Sequence, residues 1–278
     1  MNLETFDSIQ HVQIHIPFHL LRERYLPLVL KSRLQPEIGF NYRNIDCYEK
    51  SDFIETAKHL SGSGLNVTFH APFHDLRPGA LDSKIRRLTI DRLKQVFELI
   101  PYYQPMAIVC HPAFDAKYYV SAEEEWLENS IDTWKYFLSL VEGSGTIITL
   151  ENVYEKDPEL LRRLLTAVPS PQLRFCFDTG HFNTFSRAPL QVWLKAMTPW
   201  LSQLHIHDND GSSDGHLAVG EGTFPFLAFF REIHHSNLRP IVTIEAHSEK
   251  TLLKTLDNIE KTDLLKMIRP SAAVDPKS

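Results

Sequence analysis

The 278-residue chain contains three cysteines, Cys47, Cys110 and Cys176, with no paired spacing among them. That excludes a disulfide framework and predicts reduced, buried thiols in a cytosolic protein. No apolar stretch approaches the ~20 residues needed to span a bilayer. The opening MNLETFDSIQ has neither the basic region nor the apolar core of a secretory leader, so a soluble, cytoplasmic protein with no membrane partner is expected. Positive charge is not in excess: 29 Lys and Arg against 35 Asp and Glu leave a net charge of −6. Non-specific binding of nucleic acid by the molecule as a whole is thereby disfavoured, although a local basic groove remains compatible. No linker or low-complexity segment divides the chain, and no G-x-G-x-x-G turn follows the first strand candidate. The latter counts against an open, doubly wound sheet.

What the chain does contain is a regular alternation. Short Val- and Ile-rich runs read as strands: HVQIHI (11–16), PEIGFN (36–41), NVTFHAP (66–72), MAIVCHP (106–112), TIITLEN (146–152), LRFCFDTGHF (173–182), LSQLHIHDND (201–210) and PIVTIEAH (240–247). A helical pattern follows each of them. The helices are expected near 19–32, at SDFIETAKHL with Ser51 as cap, over 82–100, and from a Ser121/Glu124 capping box. Further ones are expected after Asp157 with Pro158 in the first turn, near 189–197, near 224–235, and behind Ser248 as cap. Strands buried on both faces suit an all-parallel sheet. Eight β/α units in roughly 250 residues predict an α/β chain folded as a single (β/α)8 TIM barrel. The barrel is placed at residues 1–270, with a frayed tail at 271–278.

A barrel of this kind carries its chemistry at the C-terminal ends of its strands. Ligand-type residues fall there repeatedly: His70, His111, Glu151, Asp178 with His181, His205 with His207, and Glu245, while Asp214 and His216 follow in the loop after strand seven. Period-two alternation places Thr68 with His70, Thr149 with Glu151 and Thr243 with Glu245 on the inward face. Singly, each has an ordinary explanation, a satisfied buried histidine or a carboxylate capping a helix. Their recurrence over six successive strand ends does not. Imidazoles and carboxylates are the usual ligands of Zn²⁺, and carboxylate-rich subsites also accept Mn²⁺ or Fe²⁺. The candidate metal ligands are therefore His70, His111, Glu151, Asp178, His181, His205, Asp214, His216 and Glu245, enough for two or three ions sharing bridging carboxylates.

In this order FHAP, CHP, LEN, FDTGH, LHIHD, DGHLAVGEG and the IE of the last strand resemble endonuclease IV and the wider xylose isomerase-like barrels, over residues 66–247. That group also holds sugar phosphate isomerase/epimerase-like proteins. The resemblance to endonuclease IV (AP endonuclease family 2) implies up to three zinc ions. His70 and His111 would hold one, Glu151 would bridge to a second held by Asp178, His205 and Glu245, and the third would take His181, Asp214 and His216. The epimerase branch implies one ion held by Glu151, Asp178, His205 and Glu245, with the two glutamates also moving the substrate proton. That branch often has Arg where the D-x-H pair begins, whereas Asp214 and His216 form that pair here.

The leading expectation is thus a metal-dependent phosphoester hydrolase with Glu151, Glu245 and His181 as catalytic residues, and the alternative is a sugar isomerase or epimerase with Glu151 and Glu245 as acid and base. Endonuclease IV inserts loop side chains into DNA. No basic, aromatic-interleaved reading loop is evident here, although FNYRN (40–44) and Phe73 lie on suitable loops. A small phosphorylated or sugar-like molecule, in particular a phosphodiester, fits better than duplex DNA as partner. Some relatives cleave the nucleotide-loop phosphodiester of cobamides. His74, Arg77 and His207 are the candidate substrate contacts, and His247 either joins them or rims the mouth. His11, His15, His59, His234 and His235 read as structural.

Overall fold

In the computed structural model, which describes Leu3 and residues 6–268, eight parallel strands close into a barrel in sequence order. They are β1 (Gln13–Pro17), β2 (Gln35–Gly39), β3 (Thr68–His70), β4 (Ala107–Cys110), β5 (Ile147–Glu151), β6 (Leu173–Asp178), β7 (Leu201–Ile206) and β8 (Ile241–Ile244). The ring closes where Gln13 and Ile14 pair with Thr243 and Ile244. This is the single (β/α)8 barrel that the alternation predicts. The tail expected at 271–278 lies outside the described residues.

Alternation along each strand sorts side chains into two environments. Ile148 and Leu150, Phe175 and Phe177, Leu204 and Ile206 belong to the apolar layer between barrel and helices. There Phe175 stacks on Trp193 at 6.2 Å and Phe177 meets Phe229 at 4.9 Å. Trp126, Trp134 and Phe137 on the helix Glu123–Val141 are fully buried in the same layer. Truncating one of these rings to alanine costs about 3–5 kcal/mol.

The inward positions are polar. Thr149 donates to Gln203 (3.1 Å), Gln203 donates to Glu37 (2.7 Å), and Thr68 and Thr243 donate to the same carboxylate at 3.1 and 3.0 Å. All five residues are 0% exposed. Groups this deep persist only when hydrogen-bonded. The inward placement of Thr68, Thr149 and Thr243 matches the alternation.

Several local expectations change. The helix near 19–32 forms in three segments, Phe18–Leu20, a π-helical turn Leu21–Tyr25, and Leu26–Lys31. Pro27 lacks the N–H that would close onto the carbonyl of Glu23, so the ladder widens there. Ser51 is not a cap: the helix Lys50–Gly62 starts behind Glu49, whose side chain and that of Asp52 cap each other's backbone. Ser121 makes no capping box with Glu124. Its φ of 62° is left-handed rather than extended, and the helix begins at Glu123 behind Ala122. Glu124 pairs instead with Arg163 at 2.6 Å. Ser248 does cap, accepting from Thr251 at 3.0 Å, whereas the helix after Asp157 starts at Glu159 with Pro158 in the cap position, and Asp157 accepts from Glu159 N (2.9 Å) one residue before it. All three cysteines are free, but Cys47 is exposed, on an unforeseen short helix Tyr42–Cys47. No helix among the described residues is long and apolar enough to cross a membrane.

Candidate metal centre at the barrel mouth

The nine candidate ligands converge at the C-terminal mouth in three overlapping groups. In the first, the Nε2 atoms of His70 and His111 lie 3.4 and 3.3 Å from Glu151 Oε2. In the second, His205 Nδ1 lies 3.4 Å from the same oxygen, 3.1 Å from Glu245 Oε1 and 4.0 Å from Asp178 Oδ2. In the third, His181 Nε2 and His216 Nε2 each stand 3.4 Å from Asp214 Oδ2. Glu151 joins all of them, since its Oε1 is 3.0 Å from His181 Nδ1.

Four of the imidazoles are oriented from behind, and those rear bonds identify the nitrogen turned to the mouth. His70 Nδ1 is 3.0 Å from the Ala71 carbonyl, His181 Nδ1 3.0 Å from that of Asn152, and His216 Nδ1 3.4 Å from that of Glu245. A carbonyl only accepts, so these nitrogens carry a proton and Nε2 is the nitrogen turned to the mouth. His205 is reversed: its Nε2 is 3.1 Å from Glu37 Oε1, and Nδ1 faces the centre.

These contacts are close but are not hydrogen bonds by angle. Glu151 Oε1 and Oε2, His111 Nε2, His205 Nδ1 and His207 Nδ1 are all buried without a hydrogen-bond partner. Buried oxygen and nitrogen atoms that face shared points without hydrogen-bond partners are what cations require and what a closed polar core avoids. The donor set therefore fits divalent metal ions. Electrostatics agrees in direction. Burial alone would push the Glu151 and Glu245 carboxyls up, yet imidazolium charge beside them, His205 first, holds both well below the usual carboxylate range. Burial likewise opposes ionisation of Asp214, and His181 and His216 outweigh it. For His111, burial prevails and pulls the pKa down.

Local structure explains why these residues can sit so close. Asp178 ends β6 and caps the next helix, accepting from His181 N at 2.6 Å, while its carboxylate also lies 3.1 Å from His207 Nε2 and 4.0 Å from His205 Nδ1. Asn152 ties it to β5, accepting from Asp178 N at 2.9 Å and donating to Asp178 O at 3.0 Å. Between Asp178 and His181, Gly180 is obligatory, because a Cβ there would lie 2.0 Å from the His207 ring. The loop after β7 is stapled by Asp208. Its buried carboxylate accepts from the backbone N–H groups of Asn209, Gly220, Gly222 and Phe224 at 2.9–3.1 Å, and its backbone pairs with Leu217. This staple holds His216 at a left-handed φ of 44°, a strained conformation that persists only where surrounding contacts over-determine it.

The candidate substrate contacts separate. His74 is exposed and stacks on Phe73, whose ring also stacks on His111 at 4.4 Å. Arg77 donates to the Ala113 carbonyl and lies over the Tyr118 ring at 4.8 Å. His207 is 1% exposed, with Nε2 3.1 Å from both oxygens of Asp178, so it lies inside the ligand cluster rather than on its rim. His216 stacks between His207 and His247, each at 3.8 Å. His15, read from sequence as structural, faces the mouth 3.7 Å from Glu245. Glu37, Asn152 and Asp208 were not singled out from sequence. Glu37 alone left a usable signal, a carboxylate inside a strand otherwise built of uncharged residues.

Residues 36–267 match the family model described as xylose isomerase-like TIM barrel. The uncharacterized protein MJ1311 of Methanocaldococcus jannaschii is 26% identical over 204 residues, 71% of this chain and 70% of that protein. Among solved structures, the TTHB071 protein from Thermus thermophilus, soaked with zinc chloride, is 26% identical with a TM-score of 0.74, covering 91% of this chain and 98% of that one. A D-tagatose 3-epimerase-like protein shares the fold at 20% identity, with a TM-score of 0.76 and coverage of 92% and 98%.

Proposed function

Because the chain belongs to the xylose isomerase-like TIM barrel family, we propose that it is a divalent-metal-dependent enzyme hydrolysing a phosphoester in a small, sugar-bearing molecule. One observation carries this reading: the His181–Asp214–His216 group, together with His70 and His111, extends well beyond the four donors that a single ion needs. Divalent cations, zinc first among them, lower the pKa of water and offset charge on phosphoryl oxygens. The chain's own residues do the rest. Glu151, 0% exposed and close to His70, His111, His181 and His205, would hold cations at the centre, and Glu245, 9% exposed, would take a proton from incoming water. His181, its ring fixed through Asn152, orients Asp214. His74 and Arg77 border the approach, where a phosphate or sugar hydroxyl would meet them.

A second reading, sugar isomerisation or epimerisation at one ion, is supported by the comparisons better than hydrolysis is. The solved neighbours are mostly sugar epimerases and isomerase-like proteins. Glu151, Asp178, His205 and Glu245 supply the four donors it requires, and the two glutamates flank His205 Nδ1 as an acid/base pair would.

The two readings part on metal count and on products. Chelator-washed protein is reloaded with Zn²⁺, Mn²⁺ or Fe²⁺ and counted by elemental analysis. It is then offered phosphodiesters, including the nucleotide loop of a cobamide, in ¹⁸O-water, and ketoses in deuterium oxide. The expected result is more than one ion per chain and ¹⁸O in the phosphate product, with none in the released alcohol. One ion per chain, unchanged in His216→Ala, with deuterium entering a sugar carbon, overturns hydrolysis in favour of epimerisation.

A further inference from the structure

Glu37 lies beneath the mouth and contributes nothing to its open side. Its surroundings determine the direction of every bond it makes. Thr149 donates to Gln203 Oε1 (3.1 Å), which fixes the Gln203 amide with its NH₂ towards Glu37 (2.7 Å) and Thr243 Oγ1 (3.2 Å). The Thr243 hydroxyl, already accepting from Gln203, donates to Glu37 at 3.0 Å, and Thr68 donates at 3.1 Å. Two imidazole nitrogens complete the shell, His15 Nδ1 at 3.3 Å and His205 Nε2 at 3.1 Å from Oε1. No lysine or arginine among the described residues takes part. A carboxylate so surrounded by donors is an acceptor throughout, so the ring nitrogen facing it from His205 must carry the proton.

We propose that Glu37 is a positioning residue: it keeps the proton of neutral His205 on Nε2, and thereby turns Nδ1, the nitrogen able to give its proton up, to the point shared by Glu151, Asp178 and Glu245. This deepens the cation-binding reading of the mouth and rests on it for its consequence, though not for the tautomer itself. His70, His181 and His216 are each held from behind by a backbone carbonyl and present Nε2. His205 presents the other nitrogen because its partner is a side-chain carboxylate approaching from the barrel interior. A carboxylate behind an imidazole also makes the free nitrogen a better donor to a cation, and removing such a partner typically lowers metal affinity by about 10–100-fold. Gly39 belongs to the same device: a Cβ there would meet His15 Nε2 at 2.7 Å, so only glycine lets His15 lie against Glu37.

The test reads tautomer and affinity separately, on the full chain. Protein labelled with ¹⁵N-histidine is freed of metal, and long-range proton–nitrogen correlations are recorded. His205 is assigned by its loss in His205→Asn. Spectra are followed upward in pH until the ring is neutral, where His205 should carry its one proton on Nε2, and Zn²⁺ titration then gives the wild-type affinity. Glu37→Gln presents a mixed donor and acceptor to the ring, so His205 should gain protonation at Nδ1 while Zn²⁺ affinity falls roughly 10–100-fold. Thr68→Val removes one bond to Glu37 but should keep the tautomer and lose less than about tenfold in affinity. A wild-type His205 whose single remaining proton, once the ring is neutral, sits on Nδ1 overturns the proposal, and this needs no variant to fold. So does a folded Glu37→Gln with unchanged tautomer and affinity. Wild-type protein that carries Nε2–H on His205 yet binds no Zn²⁺ supports the tautomer assignment while rejecting the cation reading of the mouth.

Discussion

Asp208 is the place where fold and site are most directly coupled. Its carboxylate accepts four backbone N–H groups, two of them, from Asn209 and Phe224, fully buried, and two, from Gly220 and Gly222, partly accessible. Hydrogen bonds to a charged group contribute about 1.5–3 kcal/mol each, and a buried donor left unsatisfied costs about the same. Asp208→Ala strands the two buried donors, while water can reach the other two. The expected loss is therefore about 3–5 kcal/mol, most of it from the buried pair. Asp208→Asn keeps one acceptor but turns an NH₂ towards two donors, and should lose about as much. Urea denaturation followed by tryptophan fluorescence measures the loss, since Trp126, Trp134 and Trp193 are buried in the shell around the barrel. The same staple holds Asp214 and His216, so at low urea, where the barrel is still folded, the variants should bind fewer zinc ions per chain. A loss below about 1 kcal/mol with unchanged zinc stoichiometry would refute the reasoning, because it would mean that the loop is held elsewhere.

Glu155 predicts a pH effect on the metal-free protein. Burial pushes its carboxyl up from 4.5 to about 7 in the fold, so the protonated form is the one the fold favours. Its contribution is present in full below pH 4.5 and is lost as pH rises through about 7, a change of about 3 kcal/mol. Glu155→Gln should remove this slope from stability measured between about pH 5 and 8, and an identical slope in the variant would contradict the assignment. Loading the mouth with Zn²⁺ at about 100 times its dissociation constant should add about 2.7 kcal/mol, a rise in melting temperature of roughly 5–10 °C that chelator reverses. No shift with either treatment would count against any cation site. Gly180→Ala forces a Cβ to within 2.0 Å of the His207 ring. Stability should fall by about 1–3 kcal/mol and zinc affinity with it; unchanged affinity would place His207 outside the cluster.

The eight strands and their order were legible because apolar runs of strand length alternate with amphipathic helical ones, and a parallel barrel admits few other connections. The strand-end positions of His70, His111, Glu151, Asp178, His205 and Glu245 followed from the same reading, since each closes an apolar run. Helix starts were less legible. Ser51 and Ser121 have cap-type side chains, but Glu49 caps the helix assigned to Ser51, and the left-handed backbone of Ser121 removes it from the role. Glu37 and His15 were passed over because neither closes its apolar run in the way the strand-end donors do, and what they touch depends on strands far away in sequence.

The sequence by itself determined the barrel, the set of donors and the end of the barrel where they emerge, because all three depend on period and residue type along one chain. Only the tertiary structure decided how those donors are used. It showed which imidazole nitrogen faces the mouth, that His207 lies within the cluster, and that Asp208 and Glu37 hold the donors from behind. Those facts depend on distances between strands far apart in sequence, such as β2 and β7, which approach only when the barrel closes.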